Sequence, residues 1–123
     1  MSMVYQMQGS LNPECVILGF KVVYDVSGVP SVVAGKGIAS VADDGTGLFT
    51  ITTDFTWQHV VGAGGMRSCA SAAGGTIQHV ADVAASKTIQ FRILNDADAA
   101  EDPSTDDGVL VLVMLQRVGA SVT

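Results

Sequence analysis

Apolar residues recur at every second position along much of this 123-residue chain. In ECVILGFKVVY, residues 14–24, one face of an extended strand would carry Val16, Leu18, Phe20, Val22 and Tyr24. Side chains in a strand repeat their direction every two residues, whereas those in a helix repeat every 3.6 residues. No window keeps the helical repeat for more than about ten residues. The alternation therefore predicts an all-β fold.

Further alternating segments lie between turn signals made of Gly, Pro and Asp. They are predicted as strands at residues 31–33, 38–41, 48–55, 57–61, 66–70, 76–80, 87–94 and 109–118, with a loop or one short helical turn at 81–86. Their number and spacing predict a single β-sandwich or jelly-roll domain over residues 1–123, with about seven or eight antiparallel strands. Residues 1–10 are expected to form a flexible N-terminal arm.

The stretch GKGIASVADDGTGLFTITTD, residues 35–54, combines glycines and aspartates in a way that raises the question of a phosphate or metal site. Asp44 followed by Gly45 is a strong hairpin signal, because Gly tolerates the positive φ that tight turns between twisted strands require. The sequence therefore predicts a chain reversal here, with Asp43 and Asp44 as solvated turn residues.

The chain is unusually apolar for its size. Hydrophobic residues make up 48% of it and charged residues 15%, against a typical charged share of about 25%. The longest pure apolar run, VLVLVML at 109–115, is too short for a membrane helix, so no membrane association is expected. Burial between identical copies is the simplest destination for the surplus. The candidate subunit-interface residues on two strands are Val109, Val111, Val113, Leu115, Val16, Leu18 and Phe20.

Charge argues against a nucleic-acid partner. The formal net charge is −6 and the sequence pI about 4.4, whereas phosphate-backbone binding needs clustered Lys and Arg. The six basic residues are instead scattered singly: Lys21, Lys36, Arg67, Lys87, Arg92 and Arg117. The start, MSMVYQMQGS, has neither a positive residue nor a continuous apolar block, so no secretory signal peptide is expected.

The most acidic segment is the loop NDADAAEDPSTDDG, residues 95–108. Its acids are Asp96, Asp98, Glu101, Asp102, Asp106 and Asp107. Oxygen clusters of this kind attract hard cations. Aligned with a calcium loop from Asp96, however, the segment has Glu101 where Gly is required and Asp107 where Glu is required. A solvated loop is the expected state, with weak cation binding left open.

Residue types that carry catalysis are present but not in catalytic spacing. His59 and His79 have no third or fourth metal ligand nearby in sequence. Cys15 and Cys69 are far apart and form no CxxC motif, so reduced thiols are expected, while their pairing is left open. The sequence contains no G-x-S-x-G, and GAGGMR at 62–67 lacks dinucleotide-loop spacing. We expect no enzyme activity, catalytic residue, metal or cofactor.

The order of segments resembles a known class of proteins. VILGFKVVYDVSGVPSVV is followed by GKGIASV, an acidic turn, GTGLFTITTD, and an acidic stretch ending in DDG before a hydrophobic terminal strand. This order is similar to that of small jelly-roll (TNF-like) virion structural proteins of tailed bacteriophages, in particular head decoration or cement proteins. The resemblance covers about residues 9–118, and it transfers no capsid-binding residue.

The resemblance implies a homotrimer on the capsid surface that clamps neighbouring major capsid protein subunits. Such a protein would assemble in the host cytoplasm and end in the virion. Two other functions are left open. The same fold could form a phage tail or fibre tip, or a TNF/C1q-like head, that binds a receptor. A small hydrolase or metal enzyme would require the histidines and the acidic loop to converge.

Overall fold

The protein folds into eight β-strands in two layers. The computed structural model describes residues 15–70 and 74–117. Within them the strands are β1 (Cys15–Tyr24), β2 (Pro30–Gly35), β3 (Ile38–Gly45), β4 (Leu48–Thr53), β5 (Trp57–Ser68), β6 (Thr76–Val83), β7 (Thr88–Leu94) and β8 (Gly108–Arg117). A 3₁₀ turn at Ala84–Ser86 is the one helical element of the described residues. The predicted all-β sandwich is confirmed.

Each layer is a four-stranded antiparallel sheet. The first sheet has the order β2-β1-β8-β5, and the second has the order β3-β4-β7-β6. The strand β8 is central in the first sheet and pairs with β1 on one side and β5 on the other. Its two neighbours are distant in sequence, so the first sheet depends on long-range pairing.

The core lies between the two sheets and follows the period-two pattern. Val22, Tyr24, Phe49, Ile51, Ile89, Ile93, Val109 and Leu115 are all fully buried. Phe91 packs between the layers, with ring centroids 5.6 Å from Phe49 and 6.3 Å from Phe20. Burying each such side chain stabilises the fold by about 1.5–3 kcal/mol before entropy is counted. The inward positions of both sheets therefore hold the sandwich together.

The glycine-rich middle differs from the sequence-based expectation. Two strands were predicted at 57–61 and 66–70, but the structure has one strand, β5, that continues through GAGG at 62–65. Glycine has no side chain to mark an alternating pattern, whereas pairing with β8 continues from Gly62 to Ser68. Residues 81–86, predicted as a loop or one short helical turn, continue β6 as far as Val83 and then form the 3₁₀ turn at Ala84–Ser86. The predicted N-terminal arm lies outside the described residues.

The reversal predicted at Asp44–Gly45 is confirmed as the turn between β3 and β4. Gly45 and Gly47 have φ of 134° and 66°. The Asp43 carboxylate accepts a hydrogen bond from the Gly45 N–H at 3.2 Å. The Asp44 carboxylate accepts hydrogen bonds from the hydroxyl of Thr50 and the amide of Gln90. The two aspartates thus fix a corner of the second sheet.

The strands β1, β3, β5 and β7 all run toward one end of the sandwich, where the turns after them meet. The Asp102 carboxylate, in the loop between β7 and β8, accepts a hydrogen bond from the Gly47 N–H at 2.7 Å. Nine of the twelve Asp and Glu residues lie at or next to these turns: Asp25, Asp43, Asp44, Asp96, Asp98, Glu101, Asp102, Asp106 and Asp107. We call this the acidic end.

Candidate functional site

The two outer surfaces of the sandwich differ in chemistry. The outer surface of the second sheet is polar and carries side-chain hydrogen bonds between strands. Arg92 on β7 donates to the Gln78 amide oxygen on β6 at 2.8 Å, and Gln90 donates to Asp44 on β3 at 3.1 Å. Such alternation of apolar-in and polar-out is ordinary for a sheet that faces water on one side.

The outer surface of the first sheet is apolar. Register across β1, β8 and β5 places its side chains in three rows. The rows are Ile17–Met114–Gly62, Gly19–Leu112–Gly64 and Lys21–Leu110–Met66. We call these nine residues the apolar face. Lys21 is its one charged residue, so the face resembles an interior surface more than an exterior one.

The large side chains of the apolar face are well exposed. The exposed fractions of Ile17, Leu112 and Met66 are 65%, 61% and 63%. A groove of about 890 Å³ runs along the face, with Leu110 and Met114 also in its lining. Monomeric proteins rarely expose a contiguous apolar surface of this kind without a partner or ligand for it. The face is therefore the candidate functional site.

Glycines make the apolar face uneven, because they leave space beside the larger side chains. A Cβ placed on Gly19 would lie 3.2 Å from Cδ2 of Leu112, so the leucine leans over β1. A Cβ on Gly64 would meet nothing within 4 Å, and one on Gly62 would only touch the Cβ of Met114 at 4.0 Å. The central row thus presents a projecting leucine beside an open recess. We call the space above Gly62 and Gly64 the glycine recess.

The seven residues predicted to line a subunit interface point the other way. Leu18, Phe20, Val109, Val111, Val113 and Leu115 are at most 6% exposed and belong to the core, and Val16 packs against it. Their side chains are therefore unavailable to a partner, and this choice of residues is corrected. Both faces of β8 are apolar from 109 to 115, and the outward face of β1 has Lys21 as its only charged residue, so the sequence alone did not decide which face was the inner one. Association through these two strands stays a prediction, now for their opposite side chains.

The acidic end has carboxylates that serve turns. Asp25 accepts hydrogen bonds from the N–H groups of Ser27 and Val29 at 2.8 and 2.9 Å. Asp102 holds the turn between β3 and β4 through Gly47. Among residues 15–70 and 74–117, no group of three or more His, Cys, Asp or Glu side chains is arranged to hold a metal ion. These carboxylates shape the loops around them.

The phenol of Tyr24 lies buried beneath the acidic end. Burial raises the pKa of Tyr24 well above its usual value, and the nearby charges of Asp102, Asp43 and Asp44 raise it further. Within the described part of the chain its hydroxyl has no hydrogen-bond partner. A phenol that is hard to ionise is a poor general base at neutral pH, which leaves Tyr24 as a packing residue.

Arg67, near the end of β5, ties this strand to the acidic loop. Its guanidinium donates to the Glu101 carboxylate at 2.8 Å and to the Gly74 carbonyl at 3.1 Å. The hydrogen bond from Arg67 lowers the pKa of Glu101, and a second one from Asn95 acts in the same direction. The sequence offered no signal for this pair, because its members are far apart in the chain.

The other reactive side chains do not come together. His59 lies on β5 of the first sheet, whereas His79 lies on β6 of the second and contacts Asp82 at 3.0 Å. Cys15 begins β1 and Cys69 follows β5, at opposite ends of the first sheet, and they form no disulfide with each other. The convergence that a metal enzyme would need is therefore not present among these four residues.

No helix in the described ranges is long and apolar enough to span a bilayer. Comparison with known proteins found no matching family model, no matching curated protein and no matching solved structure. The apolar face and the resemblance given above are therefore the grounds on which a function can be proposed.

Proposed function

We propose that the protein is a structural protein of a bacteriophage particle, a decoration or cement protein that assembles as a homotrimer on the head and stabilises it. The observation that supports this most is the apolar face on one side of the sandwich. The fold itself hosts many functions and carries no weight alone. The order of sequence segments supports assignment to the virion proteins, and the apolar face supports assembly into an oligomer.

An assembly protein needs a surface that is more stable when covered. The apolar face meets this need, because covering it removes five large apolar side chains from water: Ile17, Met66, Leu110, Leu112 and Met114. Apolar area contributes about 25 cal/mol per Å² when it is buried. An interface that buries several hundred Å² per subunit would supply on the order of 10 kcal/mol before the entropy cost of association.

The polar surface of the second sheet and the acidic end remain outside such a contact. They would keep the assembled protein soluble and leave other surfaces for the major capsid protein. A chain of this kind acts through binding, and its proposed role requires no cofactor and no catalytic residue.

Mass spectrometry of purified virions tests the proposal. The phage that encodes the chain should carry it in stoichiometric amount relative to the major capsid protein, and heads stripped of it should rebind the purified protein. Light scattering should give about three times the chain mass of 12.6 kDa. Absence from virions, together with no binding to stripped heads, would contradict the proposed function.

A receptor-binding tip is the second candidate, favoured by the gathering of four loops at the acidic end. Loops at one end of a β-sandwich are a common place for binding sites. These loops are rich in Asp, Ala and Gly and contain few of the aromatic side chains that dominate binding hot spots. Binding of the purified protein to host cells, compared with binding to empty heads, separates the two candidates.

A further inference from the structure

We infer that the apolar face binds a second copy of this chain, with the Leu112 side chain of one copy entering the glycine recess of the next. This inference rests on the proposed function and deepens it by naming the contact between copies. The occupant is identified from the shape, size and charge of the face.

The shape of the apolar face on one copy is complementary to the same face on another copy. Leu112 is 61% exposed, stands at the centre of the middle row and has glycines on both neighbouring strands. It covers Gly19 and leaves Gly64 open. The middle row of each copy therefore carries one projecting side chain and one recess without side chains. The strand spacing places them about 5 Å apart, so copies can interlock reciprocally or in sequence around a ring.

The outer surface of the first sheet, which includes the apolar face, is large enough for a stable contact between proteins. The ten residues of β8 make it about 34 Å long at about 3.4 Å per residue. Four strands about 4.8 Å apart make it roughly 19 Å wide. This footprint, on the order of 600 Å², approaches the area of about 800 Å² that each partner buries in a standard protein interface.

The charge of the face also favours a second copy. The whole chain carries −6, and copies of it repel each other at long range. The apolar face has no carboxylate, and nine acids lie at the acidic end beyond its rows. Contact through this face therefore keeps the carboxylates of the two copies apart, which contact through the loops would not.

The test uses substitutions that alter the contact without harming the protomer. Gly64→Val fills the recess, where an added Cβ would meet nothing within 4 Å, and places a strand-favouring residue at a position without positive φ. Leu112→Ala removes the projecting side chain. Ala42→Val, on the outward side of β3, and Val83→Ala, at the end of β6, are the matched controls in exposed positions of the second sheet.

Sedimentation velocity over a concentration series gives the readout, with circular dichroism to confirm folding. The wild-type protein and both controls should associate alike. Gly64→Val and Leu112→Ala should each weaken association by about tenfold or more, while Gly64→Val keeps or raises the melting temperature at dilution. Wild-type association in both face variants would overturn the inference, and so would a wild-type protein that stays monomeric. A monomeric wild-type protein would also contradict the homotrimer of the proposed function, whereas the virion experiment decides separately whether the protein belongs to the head.

Discussion

The buried hydroxyl groups of Thr53 and Tyr24 differ in whether they form hydrogen bonds. The Thr53 hydroxyl donates to the Phe55 carbonyl at 2.8 Å and accepts from the Trp57 indole N–H at 3.0 Å. The Tyr24 hydroxyl is equally buried, but the described residues provide it with no partner. A buried polar group without a hydrogen bond costs about 1–3 kcal/mol, whereas a bonded one stabilises modestly. The two positions should therefore respond oppositely to loss of the oxygen.

Tyr24→Phe should stabilise the protein by about 1 kcal/mol, because it removes a desolvated hydroxyl and keeps the ring. Thr53→Val should destabilise it by about 1–3 kcal/mol, because it leaves the Trp57 N–H buried without an acceptor. Urea unfolding followed by tryptophan fluorescence measures both changes. A destabilised Tyr24→Phe variant would mean that the phenol does have a partner in solution.

The buried phenol of Tyr24 should make the stability of the protein depend on pH in the alkaline range. The pKa of Tyr24 is raised in the folded state by burial and by neighbouring carboxylates, while the unfolded value is about 10. Its contribution to stability is therefore fully present below about pH 10 and is lost as the pH rises toward the folded pKa, at up to about 1.4 kcal/mol per pH unit.

The Tyr24→Phe variant should lack this component of alkaline destabilisation. Unfolding free energies of both proteins between about pH 9 and pH 12 provide the measurement, because the difference between them cancels the titration of the lysines. Parallel curves for the two proteins would show that the phenol does not control stability in this range.

At the scale of elements, the turn between β3 and β4 shows how local and distant sequence combine. The Asp–Gly pair was sufficient to predict the reversal. What it could not predict is that the loop between β7 and β8 packs on the turn. A Cβ on Gly47 would lie 2.6 Å from the Glu101 nitrogen and 2.7 Å from the Ile93 oxygen, whereas one on Gly45 would meet nothing within 4 Å.

Gly45→Ala and Gly47→Ala should therefore differ in cost although they lie two residues apart. Both impose a positive φ on a residue with a side chain, at about 1–2 kcal/mol. Only Gly47→Ala also forces apart the turn and the acidic loop, and we expect it to cost about 3 kcal/mol or more. Chemical denaturation of the two variants tests this, and equal losses would show that the loop does not rest on the turn.

The strands themselves were largely predictable, and the orientation of their faces was not. Alternation fixed the inner face of β7, where polar residues separate Ile89, Phe91 and Ile93. In β8 the sequence VLVLVML is apolar at every position from 109 to 115, so either face could have been the core. In the folded protein the odd-numbered residues Val109, Val111, Val113 and Leu115 face the core. Pairing of Arg67 with Glu101 was equally invisible, because it depends on the folded path of the chain.

At the scale of the whole molecule, charge is unevenly distributed. One end of the sandwich carries most of the acids, the outer surface of the second sheet is polar, and the apolar face has Lys21 as its one charge. Association through the apolar face would be opposed by long-range repulsion between acidic copies, and Lys21 is the one charge of the face that would lie within the contact. Salt screens such repulsion over about 10 Å at 0.1 M.

Raising the salt concentration from about 0.05 M to about 0.5 M should therefore strengthen self-association. Sedimentation equilibrium at constant pH measures the dissociation constant at each salt concentration. If the acidic end instead contacted the scattered basic residues of another copy, a higher salt concentration would weaken self-association. Weaker association at high salt would thus move the contact away from the apolar face.

The central strand β8 has a consequence for how this protein can change. Its odd-numbered residues from 109 to 115 secure the fold, and its even-numbered residues look outward. In a saturation scan of this strand, substitutions at the odd-numbered positions should lower expression of folded protein. Substitutions at the even-numbered positions should alter binding and leave expression unchanged. Substitutions at the even-numbered positions could therefore change the binding partner without a loss of folding stability.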